Sequence, residues 1–554
     1  MGDVLLVEAI PAADASSAPS EAVRSHERML TSFNPATGEP VGYVPLVGRE
    51  GVDAAVTAAR EAQTDWGALS VTERTRYLHR LRLQIVEEAE ELARLISTEQ
   101  GKPRADALSI EVLPAATLLK YLEREARTLL APRRVVPRQP MFASKRNNYR
   151  YEPLGVIAVI SPWNYPFGIP FQQVAAALVA GNTVVLKPSP FTPLIGQKIA
   201  ELGRLAGLPA GVLQVLHLDD ADAPALVSHP AVDKIIFTGS TATGRKVMAA
   251  AAVHPTPVIL ELGGKDPALV CADADLDRAV PGIVWYAMAN SGQTCASIET
   301  VYLERPIAEA FIRRAVAEVQ RLRVGNPLDP DVEIGPLTNE RQLQIVEEHV
   351  ADAVAKGAEV LVGGRRRPGP GYFFEPTVLT RVDRSMRIMN EETFGPVLPI
   401  VVCDSMEEAV QLANESLYGL TASIWTSNLD RAQALAQRIR AGAVNINDHA
   451  CNWAEPSASW GGVGHSGFGR THGEFGLVEM VNIKWISADI RPGELEAWWY
   501  PYNEGTLHLL RNAVRFLFGA TERRPYALAS LLLNPRTYQR VNLVRLAMNF
   551  RQWL

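Results

Sequence analysis

Apolar side chains recur every three or four residues across three stretches, near 50–66, 71–100 and 104–130, a period that predicts amphipathic helices. After Gly155 the pattern changes to short, β-branched apolar runs: GVIAVI, NTVVLK, GVLQVL and KIIFTG, with helix-period segments between them. A second such set begins at PALVC (267–271) and continues through TVYLE, VLPIVV, ASIWT and AVNIN. Strands that alternate with helices predict βαβ units around a parallel sheet. Two successive sets therefore predict an α/β protein of two doubly wound domains with a cleft between them. Residues 1 to about 30 are rich in Ala, Ser, Pro and Glu and read as a mobile arm.

Composition narrows the class without naming a chemistry. A chain of 554 residues exceeds what one core usually organises, so two or three domains are expected. Hydrophobic residues at 47% and charged residues at 21% speak against a disordered chain or a membrane bundle. The mild net charge of −6 argues against a general nucleic-acid binder. Cys271, Cys295, Cys403 and Cys451 are widely separated and form no CxxC pair. Neither a disulfide framework nor a zinc site is expected, and a reducing compartment is. The opening MGDVLLVEAIPAADASS lacks the basic segment of a signal peptide and the Ser or Thr at position six that myristoylation needs. No run reaches the roughly 18 apolar residues of a spanning helix. The expected location is cytoplasmic, or peripheral at the inner face of a membrane.

Four segments carry candidate chemistry, and each has an ordinary reading beside the functional one. Phe237-Thr-Gly-Ser-Thr-Ala-Thr-Gly244 closes a strand and opens a helix. Small residues there are compatible with a phosphate at the helix N-terminus, or with a plain turn. Gly292-Gln-Thr-Cys295 offers a thiol next to a glycine, either a nucleophile or a buried hydrophobe. Glu261-Leu-Gly-Gly-Lys265 follows the apolar run PVIL, so Glu261 is a base at a strand end or a solvated loop residue. Pro162-Trp-Asn-Tyr-Pro166 fixes a loop in which Asn164 supplies an amide donor suited to an oxyanion. The regular GxGxxG spacing at Gly462–Gly467 is set aside, because no buried strand precedes it and no apolar helix follows.

Taken together, PWNYP, FTGST, ELGGK, GQTC and Glu391-Glu-Thr-Phe-Gly-Pro396 resemble the signature set of the aldehyde dehydrogenase superfamily, in that family's order. Asn182-Thr-Val-Val-Leu-Lys-Pro188 and Ser466-Gly-Phe-Gly-Arg470 extend the resemblance, which runs from about Phe33 to about Ile486. It implies oxidation of an aldehyde to its acid, with NAD or NADP accepting hydride and no metal. Cys295 would be the nucleophile, Asn164 half of the oxyanion hole and Glu261 the general base. Lys187 and Glu392 would hold ribose hydroxyls, with Phe394 beside the nicotinamide ribose. Gly239, Ser240 and Gly244 would lie at the pyrophosphate, and Trp163, Ser189 and Leu262 would line the cofactor groove. The family fold implies a coenzyme-binding domain (31–131 and 153–263) and a catalytic domain (264–465). It also implies a strand arm for oligomerisation (132–152 and 466–490), hence at least a homodimer.

This chain departs from the family pattern in three places. Many NAD-preferring members carry a glutamate where Pro190 stands, so one ribose acceptor is gone, and with it the repulsion of a 2′-phosphate. A lysine of some members is Gln173 here, and a common glutamate is Thr471. Gly-Arg-Thr-His-Gly473 looks instead like the class 3 and fatty-aldehyde branches. NAD and NADP both remain open. Trp285, Tyr286, Met288 and Trp453 fall in regions that contribute to the family's aldehyde tunnel, which favours an aromatic or medium-to-long aliphatic aldehyde; an ordinary core role is the alternative. Two other readings stay open: a CoA-acylating relative, against which Glu261 speaks, and a non-catalytic scaffold, against which Cys295, Glu261 and Asn164 speak together. No GxSxG elbow supports a serine hydrolase.

The extension 491–554 is of a different kind. From Gly505 onward it holds eight arginines and one glutamate, a charge of +7 that leaves −13 on the remainder. Leu507, Leu510, Val514, Leu517 and Phe518 form a helical stripe with Arg511 and Arg515 between them, and Val541, Val544, Met548 and Trp553 form a second. Basic amphipathic helices of this kind suit an anionic membrane surface, or pack on the enzyme or a partner subunit.

Overall fold

The computed structural model describes residues 28–139, 142, 144–490, 496 and 498–535. The arm expected over 1–30 lies almost wholly outside the described residues, as does the stripe from Val541 to Trp553. Described residues through Leu130, with Pro153–Val481, form one compact unit; Ala131–Glu152 and those from Asn482 onward form another.

The first unit opens with an antiparallel pair, Met29–Phe33 and Pro40–Pro45, closed by a turn in which Gly38 N–H donates to the Asn34 carbonyl at 2.7 Å. Helices Arg49–Ala68 and Val71–Glu87 follow, the second started by a Ser70–Glu73 capping box. The single helix expected over 71–100 is two, because the chain resets at Glu88 before Ala89–Gln100. The stretch 104–129 is helical but wound through a π turn at Ala107–Val112. A wider turn moves the register of the residues it contains.

The β-branched runs build two sheets. In the first the order is Gly467–Phe468, Val258–Glu261, Lys234–Thr238, Val156–Ile160, Thr183–Lys187 and Leu213–Val215. All neighbours are parallel except the two-residue edge strand Gly467–Phe468. The second runs Glu359–Val362, Thr377–Thr380, Val397–Cys403, Ile298–Glu304, Asp266–Val270, Thr421–Trp425 and Ala443–Ile446, parallel but for its first strand. Val156–Ile160, Thr183–Lys187 and Lys234–Thr238 are buried along their whole length. Helices on both faces leave such strands no polar side, which is why they read as continuous apolar runs. The fold is α/β, as the alternation implied. One segment differs: 467–468, expected in the strand arm, pairs with the strand that ends at Glu261.

The second unit holds a three-stranded sheet ordered Val481–Asp489, Lys145–Pro153, Arg133–Val135. Lys145 bridges Asp489 at 2.6 Å and Glu496 at 2.8 Å, and Trp485 meets Tyr149 edge-on at 5.0 Å. Beyond it, helices Glu504–Phe518 and Arg524–Leu533 pack on each other through Leu509, Asn512, Ala527 and Leu531. Among the described residues no helix is long and apolar enough to cross a membrane.

Candidate active site

Parallel strands deliver their C-terminal ends to one edge of a sheet, and that edge is where ligands of such folds bind. Here it gathers Lys187, the 161–167 loop, Gly239 and Glu261. Register fixes their neighbourhood: Ser161 N–H donates to the Lys187 carbonyl at 3.1 Å, and Gly239 N–H to the Glu261 carbonyl at 3.0 Å.

The loop that carries Cys295 reaches this edge through an unusual turn. Asn290 (φ 54°), Ser291 (φ 56°) and Gly292 (φ 71°) are three consecutive residues in left-handed backbone. Gly292 is required twice over, by its φ and because a Cβ there would overlap the Gly395 carbonyl. The two glycines after Glu261 meet the same crowding. A Cβ on Gly263 would overlap the Glu392 carboxylate, and one on Gly264 the Cys295 carbonyl oxygen. Segments 261–264, 290–295 and 392–395 therefore close on one another at glycines that leave no room for a Cβ.

Asn164 is 3% exposed, and its Nδ2 donates to the Gln293 carbonyl at 3.1 Å, so the amide faces the nucleophile loop. Tyr165 shares a hydrogen bond of 2.9 Å with Thr294 on the same loop. The Glu261 carboxylate is buried, and neither oxygen meets a well-aligned hydrogen-bond donor among the described residues. Burial raises its pKa well above the carboxylate range, against the weaker pull of Arg470 and the Trp460 indole. Enclosure also pushes the Cys295 thiol up, reinforced by the negative charges of Glu392, Asp266 and Glu261 and eased only slightly by the Ala296 N–H.

Cys295 opens onto a cavity of about 170 Å³. Around it stand Tyr165, Ile169, Trp285, Tyr286, Trp453 and Trp460, and among the described residues no Lys, Arg, Asp, Glu or His side chain lines it. Trp453 is central: its ring meets Tyr165 at 5.6 Å and Trp460 at 5.4 Å, and its Nε1–H donates to the Ile110 carbonyl at 2.9 Å. Ser109 and Ile110, both within the π turn Ala107–Val112, also line the wall. Of the tunnel residues expected from the sequence, Trp285, Tyr286 and Trp453 line the cavity. Met288 does not; it is 1% exposed inside the core of the second sheet. Ile110, Ile169, Cys451 and Trp460 were not anticipated, since nothing in their local sequence separates them from core residues.

On the other side, Trp163 meets Phe394 edge-on at 5.4 Å, with Phe394 in left-handed backbone (φ 52°). Glu392 Oε1 accepts the Gly264 N–H at 3.1 Å, and burial, helped by Glu299, lifts the Glu392 pKa to about 8. Ser240 caps helix Thr241–Ala251 by accepting the Thr243 N–H, and the helix start is exposed. Gly244 admits the Leu262 side chain, which a Cβ would hit. Lys187 is buried, its pKa lowered by that burial, and no carboxylate lies within ion-pair distance of it among the described residues. Ser189 is buried and accepts the Phe191 N–H at 3.2 Å. An open helix N-terminus, an unpaired buried ammonium and a carboxylate beside an aromatic pair fit the phosphates, ribose and ring of a dinucleotide.

Residues 22–486 match the model of the aldehyde dehydrogenase family. The chain belongs to that family. It is 37% identical over 470 residues to a probable succinate-semialdehyde dehydrogenase (NADP(+)) of Sinorhizobium fredii, covering 84% of this chain and 94% of that protein. It is equally 37% identical to a 4,4'-diapolycopene aldehyde oxidase of Methylomonas sp, over 88% and 91% of the two chains. The NAD+ complex structure of an aldehyde dehydrogenase from Bacillus cereus superposes with a TM-score of 0.80 at 34% identity, over 84% of this chain and 94% of that one. Where this aldehyde dehydrogenase departs from the motif pattern, the replacements are built in. Gln173 donates to Thr238 at 3.0 Å beneath the strand ends, Thr471 bridges to Trp460, and His472 packs on Trp453 at 5.2 Å.

Proposed function

We propose that this enzyme oxidises an apolar aldehyde, aromatic or medium-to-long aliphatic, with Cys295 as nucleophile, Asn164 at the oxyanion and Glu261 as general base. The observation that carries the substrate class is the cavity at Cys295, walled by aromatic rings with no Lys, Arg, Asp, Glu or His side chain among the described residues that line it. A free carboxylate or ammonium on the substrate would be desolvated there without a partner. The volume is close to that of cavities that accept one benzene ring, roughly 150 Å³.

Glu261 takes the thiol proton, and the sulfur adds to the carbonyl carbon. The carbonyl oxygen becomes an oxyanion, bound by the Asn164 amide and the Cys295 N–H. Loss of hydride from the aldehyde carbon leaves a thioester on Cys295; the hydride acceptor would be supplied by NAD or NADP. Glu261, having passed the thiol proton on to solvent, takes a proton from water; the resulting hydroxide adds to the acyl carbon, and the carbon–sulfur bond breaks to release the acid and the thiolate. Water is the acyl acceptor on this reading because a buried base stands beside the thioester, which supports hydrolysis over transfer to CoA. Lys187 and Glu392 would bind ribose hydroxyls, Ser189 and Leu262 the groove wall, and Gly239, Ser240 and Gly244 the pyrophosphate at the helix start. Trp163 and Phe394 would flank the nicotinamide ribose.

The strand arm is proposed to pair across a homodimer or larger assembly, since an open sheet edge presents a row of unpaired backbone N–H and C=O groups that another strand can cover. The exposed basic helix of the extension is proposed to meet an anionic membrane surface.

The test is a panel of benzaldehyde, hexanal, decanal, succinic semialdehyde and 4-aminobutanal with NAD and NADP. The apolar aldehydes should exceed the charged ones by at least ~100-fold in kcat/KM. Cys295→Ala should show no steady-state turnover while still binding cofactor. Preference for a charged aldehyde would overturn the substrate class, and turnover by Cys295→Ala would overturn the nucleophile.

A further inference from the structure

Behind the Asn164 loop lies a buried charge pair that the mechanism above does not use. Lys102 and Glu111 are both fully buried, with Nζ and Oε1 2.7 Å apart. Lys102 Nζ also donates to the Asn164 carbonyl at 2.8 Å and sits 4.0 Å from the centre of the Tyr165 ring. The other Glu111 oxygen accepts the N–H groups of Phe167 and Gly168, each at 2.9 Å. The pair thus grips the loop at both ends of 164–168.

A second strand of the same network reaches the nucleophile loop. Asn290 Nδ2 donates to the Asn164 carbonyl at 3.0 Å and to the Gln293 carbonyl at 2.9 Å. Asn290 is in turn held by Gln100 Nε2 at 2.9 Å and by Asp106, which accepts its backbone N–H at 2.9 Å. One carbonyl oxygen, that of Asn164, therefore receives the Lys102 ammonium and the Asn290 amide together. Its peptide plane is fixed from behind, and its side-chain amide is left to face residues 293–295.

Burying an ammonium and a carboxylate carries a desolvation cost that can match their attraction, and a neutral pair of like volume is often as stable. Stability alone gives no reason for this pair. We propose that Lys102, anchored by Glu111, is a positioning residue that sets the Asn164 amide at the oxyanion site. The inference rests on the reading of Asn164 as an oxyanion donor. Lys102 touches no substrate atom; it acts through the Asn164 backbone.

The test is a mutant cycle. Lys102→Met with Glu111→Gln removes both charges and keeps an amide oxygen for the Phe167 and Gly168 N–H groups. It is compared with Asn164→Ala and with the combination of all three changes. The paired variant should lose ~10²–10³-fold in kcat/KM for the aldehyde, the scale of one oxyanion donor. Cofactor affinity, read by quenching of tryptophan fluorescence, should hold within about twofold. The combination should be no worse than Asn164→Ala by more than about threefold, because both lose the same interaction. Losses that multiply, or a paired variant with wild-type kcat, would overturn the positioning role while leaving Asn164 in place. An Asn164→Ala enzyme of undiminished kcat/KM would instead remove the reading on which the inference stands, and the inference with it. Should the paired variant not fold, Glu111→Gln alone, which loosens the anchor of Lys102, enters the same cycle with an expected loss of about tenfold.

Discussion

Lys265 and Glu299 form an ion pair of 2.6 Å in which each side chain is only 3% exposed. The Glu299 carboxylate also accepts the backbone N–H groups of Thr393 at 2.8 Å and Phe394 at 2.9 Å. It thereby holds Phe394 in left-handed backbone, a conformation that costs a non-glycine residue about 1–3 kcal/mol. Phe394 stands against Trp163, and Glu392 is two residues away, so the pair braces the side of the site assigned to cofactor. Glu299→Gln should raise the KM for NAD(P) about tenfold, ~1.4 kcal/mol, with a smaller change in kcat. Initial rates at varied cofactor check this. An unchanged KM would mean that Phe394 keeps its place without the carboxylate.

Glu261 gives the reaction a pH signature. Burial raises its pKa well above the carboxylate range, so it is protonated at low pH and becomes a base only as pH rises. A step that needs the ionised carboxylate must therefore speed up with pH through that raised value, well above the usual carboxylate range. Deacylation should climb accordingly. Glu261→Gln should impair thioester hydrolysis more than hydride transfer: a burst of NAD(P)H of about one equivalent per site, slower than in the wild type because the thiol has lost its base, then slow turnover at a rate that no longer follows that limb. Stopped-flow absorbance across pH separates burst from steady state. A variant that keeps the wild-type pH limb would assign the limb to another group, the Cys295 thiol first.

Cofactor choice turns on Ser189 and Pro190. Pro190 offers no carboxylate to a ribose 2′-hydroxyl and no negative charge against a 2′-phosphate. The Ser189 hydroxyl already accepts the Phe191 N–H, which leaves its proton to donate to either group. NAD and NADP should thus differ by no more than about tenfold in kcat/KM. Pro190→Glu should move the ratio at least ~100-fold towards NAD by charge repulsion of the phosphate. A wild-type preference above about a thousandfold would place the discrimination elsewhere.

Both sheets were legible because their strands are buried on two faces and so stand out as apolar runs, and every run named from GVIAVI to AVNIN became a strand. Glu359–Val362 and Thr377–Thr380 escaped notice: each is four residues long, and the first is largely exposed and carries no apolar run longer than three. Motif glycines 263, 264 and 292 could be picked out, but the reason for them, crowding between three distant segments, is a tertiary fact. The cavity wall was read only in part. Trp453 and Tyr286 announced themselves as aromatic, whereas Ile110 lies within a π turn, which helical periodicity does not encode. Lys102 and Glu111 were missed for the opposite reason. Lys102, in the short link between two helical stretches, and Glu111, within the second, look solvated, and only the fold reveals that both are buried against the Asn164 loop.

The extension makes a prediction about location. Helix Glu504–Phe518 buries Leu509 and Asn512 against helix Arg524–Leu533, which uses up one face of each. What remains outward combines Leu507 (52% exposed), Val514 (59%) and Phe518 (72%) with Arg511 and Arg515, while Tyr526 (78%) and Leu533 (78%) are exposed on the second helix. Exposed apolar side chains interleaved with arginine fit the boundary of an anionic bilayer, where rings and methyls enter the acyl region and each guanidinium contributes about 1 kcal/mol at the headgroups. The full chain should float with vesicles containing phosphatidylserine at low salt and be released towards 0.5 M NaCl, where screening is stronger. Arg511→Glu with Arg515→Glu, both exposed and outside the catalytic site, should cut flotation at least ~10-fold without changing kcat. A chain ending at Ile490 should not float. If the full chain stays soluble at low salt, the outward face is instead a subunit contact, and the same two substitutions should then lower the mass read by light scattering or the melting temperature.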